Sequence, residues 1–110
     1  MKHADGELLV LTTVATAEQA KTLAEGLVSA HLAACVTVLP GALSNYHWQG
    51  KTFLSEPEQV LLIKTHREKL AELESFFAAN HPYECPELLA FDAVAVSDAY
   101  AGWMREQLGM

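Results

Sequence analysis

The stretch from Ala33 to Thr65 sets the tightest limit on what this chain can fold into, because it reads as two extended arms joined by one sharp reversal. AACVTVL (Ala33 to Leu39) is apolar and β-branched, and after Pro40-Gly41 an extended pattern resumes from Ser44 to Trp48. Gln49-Gly50 then turns the chain, since glycine accepts the positive φ of a tight hairpin. The return arm runs from Lys51 to Thr65, with Pro57 as an irregularity and VLLIK (Val60 to Lys64) as its part suited to burial. Proline donates no ladder hydrogen bond, so the outgoing arm belongs at a sheet edge or carries a bulge. Arms of about 14 residues at ~3.3 Å per residue reach roughly 45 Å. A compact domain of this size has a radius of gyration near ~13 Å, hence a diameter of roughly 34 Å. The hairpin is expected to overhang and to expose Leu43, Tyr46, Trp48, Phe53 and Leu54 beside unpaired strand edge, which promotes symmetric association.

The rest of the chain supplies the elements around that hairpin. LLVLTT (Leu8 to Thr13) is a continuous apolar run too short for a helix, so it reads as a strand covered on both faces. Thr16 and Gln19 have capping-box spacing ahead of Ala20, Leu23, Ala24, Leu27 and Val28, which predicts a helix from about Ala17 to His31. Thr65 and Glu68 repeat that spacing before Leu70, Leu73 and Phe77, so a second helix follows the return arm until Pro82. The loop HPYECPE (His81 to Glu87) leads into a fourth strand, LLAFDAVAV (Leu88 to Val96). Ser97 can cap a last helix with Tyr100, Trp103, Met104 and Leu108 on one side. The pattern is α+β, a ferredoxin-like βαββαβ sandwich with a long central hairpin and a C-terminal helix. The first and third strands should lie in the middle of the sheet, with the fourth beside the first and the second beside the third.

At 110 residues this is one domain, since two cores would each be too small to offset chain entropy. Met1 to Gly6 are polar and are expected to fray. The formal charge of -7, from fourteen acidic and seven basic side chains, repels phosphate backbones and anionic headgroups, so neither nucleic acid nor membrane is an expected partner. No apolar run approaches the ~20 residues of a membrane span and the opening residues lack a signal segment, so a cytoplasmic location is expected. Cys35 and Cys85 are too few for a disulfide framework; Cys35 reads as a core residue and Cys85 as the accessible one.

Taken in order, LVLTT, LAACVTVLPGALSNYHWQGK, EQVLLIKT and HPYECPELL resemble the CutA family of divalent-cation tolerance proteins from Glu7 to Leu108. The resemblance implies a tight homotrimer built through the hairpins, similar to the PII signalling proteins. It also implies a cytosolic role in tolerance of copper and other divalent cations, without a defined reaction. Two departures stand out. Where some bacterial members carry a Cys near the end of the first strand and a His-His pair before Pro-Tyr, this chain has Thr12 and Asn80-His81. The stretch between Lys51 and Glu58 also looks one residue longer than the family pattern, which predicts a local bulge near Pro57.

Two candidate sites follow. His81, with Cys85 and Glu84 nearby along the chain and Glu87 beyond, offers donors suited to copper or another divalent cation. Tyr46, Trp48, Glu58, Lys64, Tyr83 and Glu87 belong to the segments of strongest resemblance, which implies that they line inter-subunit clefts in the trimer. There Lys64 could fix a small anionic ligand, the reading of a PII-like regulator. His31, His47 and His66 are scattered and read as polar surface residues. No nucleophile motif, glycine-rich phosphate loop or carboxylate dyad points to an enzyme.

Overall fold

The apolar run near the N-terminus becomes β2 (Glu7–Val14), the innermost strand, in a computed structural model that describes residues 1–110. It pairs antiparallel on one side with β4 (Lys51–His66) and on the other with β5 (Leu89–Asp92). The outgoing arm, β3 (Cys35–Trp48), pairs only with β4 and forms the edge, giving the order β3-β4-β2-β5 expected of the ferredoxin-like plan. Pro40 lies in this edge strand, where a missing N–H has no neighbour to disappoint.

Helix α1 (Ala17–Ser29) starts where the capping box places it: Thr16 Oγ1 accepts the Gln19 N–H at 3.1 Å, and Gln19 Oε1 accepts the Thr16 N–H at 3.3 Å. It ends two residues before the expected His31, which takes a left-handed φ of 58°. Helix α2 (Leu70–Asn80) lies beside α1, and Gly26 of α1 faces the ring of Phe76 so closely that a side chain there would clash. Both helices cover one face of the sheet. Val10, Ile63 and Val36 are cross-strand partners, as are Thr12, Leu61 and Val38, and that face meets Leu23, Leu27, Leu73 and Phe77 in a single apolar core. Helix α3 (Asp98–Gln107), capped by Ser97 Oγ accepting the Tyr100 N–H, forms a smaller cluster in which Met104 and Leu108 meet Ala34.

Several local expectations are corrected. Thr65 does not cap α2: its hydroxyl donates to the Leu32 carbonyl at 2.7 Å inside the core, and His66 does the capping, its Nδ1 accepting the Glu68 N–H ahead of a single 3₁₀ turn (Arg67–Lys69). His66 is accordingly buried rather than a surface residue. The fourth strand divides, because the chain leaves the sheet after Asp92 and resumes as β6 (Ala95–Val96). β6 pairs with β1 (Lys2–His3) in a small ribbon that the strand pattern did not predict, and His66 Nε2–H donates to the Asp5 carbonyl. Tyr100 and Trp103 stack on each other at 5.5 Å on the outside of α3 rather than joining Met104 in the core.

The hairpin overhangs as its length requires. β2 stops pairing at Val14 opposite Gln59, so β4 from Lys51 to Glu58 has only β3 beside it, and the molecule extends 45 Å along its long axis against 25 and 22 Å across. Gln49 and Gly50 close the tip with φ of 50° and 77°, the two positive values of a type I′ turn. Two bulges interrupt the ladder. Pro40 and Gly41 lie opposite the single Gln59, and Asn45 lies opposite both Leu54 and Ser55. The second lies two residues before Pro57, near where a bulge is expected: Ser55 adopts a φ of 53°, and its N–H is caught by Asn45 Oδ1 at 2.8 Å.

Candidate functional site

The underside of the overhang and the loop after α2 enclose a cleft of about 510 Å³. β3 contributes Ser44, Asn45, Tyr46 and Trp48; β4 contributes Glu58; the end of β2 contributes Thr13. The loop supplies Tyr83, Glu84, Cys85 and Glu87. Strand residues alternate sides, so Ser44, Tyr46 and Trp48 stand in one row. Tyr46 is fixed by stacking on its cross-strand partner Phe53, with ring centroids 5.2 Å apart.

His81 anchors the loop. Its Nε2 lies 3.0 Å from both the Thr13 carbonyl and Thr12 Oγ1, and its Nδ1 lies 3.1 Å from the Tyr83 amide. A carbonyl can only accept and an amide N–H can only donate, so Nε2 carries the proton and Nδ1 takes the Tyr83 N–H. The imidazole is thus neutral, and burial holds its pKa below the usual 6.5 although the Thr13 carbonyl and the Glu58 charge pull the other way. Both ring nitrogens are committed within the subunit. The Thr12 and His81 positions singled out in the sequence do meet, through a hydroxyl and an N–H that hold a loop to a strand.

From that anchor Tyr83 reaches across the cleft. Its ring packs edge-on against His81 at 5.0 Å, and its hydroxyl donates to Glu58 Oε2 at 2.7 Å. Burial, followed by this bond to a carboxylate, pushes the phenol pKa well above its ordinary value of 10, so it stays a donor. Glu58 is itself buried.

Of the residues proposed for a ligand cleft, Tyr46, Trp48, Glu58, Tyr83 and Glu87 come together and Lys64 does not. Lys64 stands six residues further along β4, with Nζ donating to Thr37 Oγ1 at 2.6 Å and to the Leu62 carbonyl at 3.2 Å. Within one subunit the cleft therefore holds three carboxylates and no basic side chain. Cys85 and Glu84 line the same space, but no three His, Cys, Asp or Glu side chains converge to hold a metal ion within the chain. Thr13, Ser44 and Asn45 are lining residues that the sequence reading missed. The length mismatch near Pro57 was a signal for Asn45, because an extra residue on one strand needs a partner for its stranded amide.

Neither α1 nor α2 covers the other face of the sheet, and α3 reaches it at its β3 edge, where the Tyr100 hydroxyl lies 3.6 Å from Cys35 Sγ. Leu9 and Leu11 of β2 have Lys64 and Leu62 of β4 as partners on one side, and Phe91 and Leu89 of β5 on the other, while Val60 is flanked by Thr13 and Leu39. Leu39, Leu89 and Phe91 remain about half exposed. No helix of the molecule is long and apolar enough to cross a membrane.

A four-stranded ferredoxin-like sheet with an overhanging hairpin and a loop-walled cleft at its root defines the architectural class. Residues 8–107 match the family described as CutA1 divalent ion tolerance protein. The divalent-cation tolerance protein CutA of Thermus thermophilus is 40% identical over 103 residues, covering 94% of this chain and 99% of that one. The chloroplastic CutA protein of Arabidopsis thaliana is 40% identical over 98 residues, and the match spans 53% of its length. The solved CutA of Synechococcus elongatus superposes with a TM-score of 0.91 at 40% identity, over 96% of this chain and 93% of that one. The chain belongs to the CutA1 family of divalent ion tolerance proteins.

Proposed function

We propose that the chain serves divalent-cation tolerance as a homotrimer, assembled in the PII manner, that binds copper or another divalent cation as cargo at clefts completed by neighbouring subunits. The observation that carries this reading is the unfinished state of a single subunit. A bare apolar sheet face adjoins an acidic cleft whose outer wall, bearing Tyr46 and Trp48, is an overhanging ribbon. Covering such a face with further copies removes a large apolar surface from water and gives the ribbon a second side to pack on. The family name supplies the cation, and the carboxylates of Glu84 and Glu87 with the thiol of Cys85 supply donors on the cleft wall. His81 serves the site indirectly, by holding this loop to β2. Two free cysteines, one of them exposed, suit a reducing compartment such as the cytoplasm. Binding rather than turnover is the proposed activity.

Copper titration of the assembled protein followed by calorimetry tests the cargo site. Saturable binding weakened by Cys85→Ser and by Glu84→Gln is expected. Affinity unchanged in both variants would overturn the assignment.

A further inference from the structure

The cleft carries more chemistry than a metal site needs. Glu58 is only 7% exposed, one of its carboxylate oxygens is held by Tyr83, and nothing in the chain donates to the other. No buried side-chain oxygen is both sealed from solvent and unpartnered, so that second oxygen opens into the space Glu58 lines. A nearly buried carboxylate with a free lone-pair face is costly to leave alone, and it favours a cation that can be brought to it. Glu84 and Glu87 add to the same negative field, and the chain as a whole carries a formal charge of -7.

The remaining wall decides which cation. A bare divalent ion needs several oxygen, nitrogen or sulfur donors converging at bonding distance, and within one subunit three such side chains do not meet, so that ion depends on donors from a neighbouring copy. The rings of Tyr46 and Trp48 occupy that wall instead, each about 40% exposed. Aromatic faces attract a diffuse, weakly hydrated organic cation, whereas a small hard ion keeps its water. The cavity, at about 510 Å³, falls within the range that small organic ligands use.

We infer that this cleft is a receptor for a small organic ammonium ion, with the free oxygen of Glu58 as counter-ion and the rings of Tyr46 and Trp48 as walls. The inference goes beyond the divalent-cation reading and does not depend on it. Asn45, fixed by its bond to the Ser55 amide, pins β3 next to Tyr46, which lines the same cleft as the carboxylate.

The test is calorimetric titration of the intact protein with choline and with ethanolamine, alongside the uncharged tert-butyl isostere of choline and acetate. Saturable binding of at least one of the two cations is expected, with the isostere at least about tenfold weaker because it lacks the charge that Glu58 pairs. Glu58→Gln preserves the acceptor for Tyr83 and should weaken the cation by at least about tenfold. Trp48→Ala removes one aromatic wall and should weaken the cation several-fold in a variant whose solution mass, read by light scattering, equals that of the parent. Binding of neither cation, equal binding of the isostere, or binding of acetate in their place would overturn the inference. A parallel copper titration separates the two readings: copper binding without ammonium binding overturns only this inference, and the reverse overturns only the metal assignment.

Discussion

The two faces of one sheet have opposite fates. On the helix-covered face Val10, Leu61 and Ile63 are wholly inaccessible and Phe77 and Leu73 nearly so, whereas across the same backbone Leu39, Leu89 and Phe91 are left about half exposed. Both faces are equally apolar in composition. The difference shows that this sequence encodes more hydrophobic surface than two helices can cover, and the overhanging hairpin continues the uncovered side. The stability of the fold resides on the first face; the second face and the cleft at the hairpin root concern what meets the molecule from outside.

The comparison breaks most visibly through the core. Phe77→Ala should lower the unfolding free energy by about 3–5 kcal/mol, since it leaves a cavity between α2 and the sheet that close packing cannot refill; denaturant titration reads this as a lower midpoint. A charge on the opposite face should act differently. Leu89→Lys combined with Phe91→Lys should leave the helical spectrum intact and abolish self-association, measured as a fall in solution mass, because a lysine at a covered interface must be stripped of water. If the double variant keeps the parent mass, the open face is not the surface of association.

Much of this division was legible in the sequence. The continuous apolar run of β2 identified the inner strand, Thr16 with Gln19 identified the start of α1, and the length of the arms around Gln49-Gly50 required an overhang. What escaped was each case in which a polar side chain chose a tertiary partner over a local one. Thr65 had the spacing of a cap yet points inward to the Leu32 carbonyl, 33 residues away, leaving the cap to His66. His81 looked like a free ligand because its partners, Thr12, Thr13 and Tyr83, include two that lie 68 and 69 residues away. Lys64 was grouped with Glu58 through a shared family segment, although their places on β4 separate them along the strand. The split of the last strand at Ala93 and Val94 and its pairing with Lys2–His3 left no periodic trace in so few residues.

Two smaller effects sharpen the contrast between the covered core and the loop that walls the cleft. Thr65→Val removes the donor to a buried carbonyl and should cost about 1–3 kcal/mol, measured by the same denaturant titration, with association unaffected. For His81 the sign follows from its depressed pKa. The unfolded chain takes up a proton near pH 6.5 while the folded imidazole resists it, so the stability it contributes is present above 6.5 and is lost as the pH falls below that value. His81→Gln should therefore flatten the stability profile on the acid side of neutrality, and an unchanged slope would show that this ring is not the group responsible.

The bare sheet face bears most directly on how the molecule exists in solution, and light scattering coupled to size-exclusion chromatography at micromolar protein measures it. A particle of three times the 12.0 kDa chain mass is predicted. A folded species of 12.0 kDa that persists at that concentration would contradict the claim that further copies cover the face.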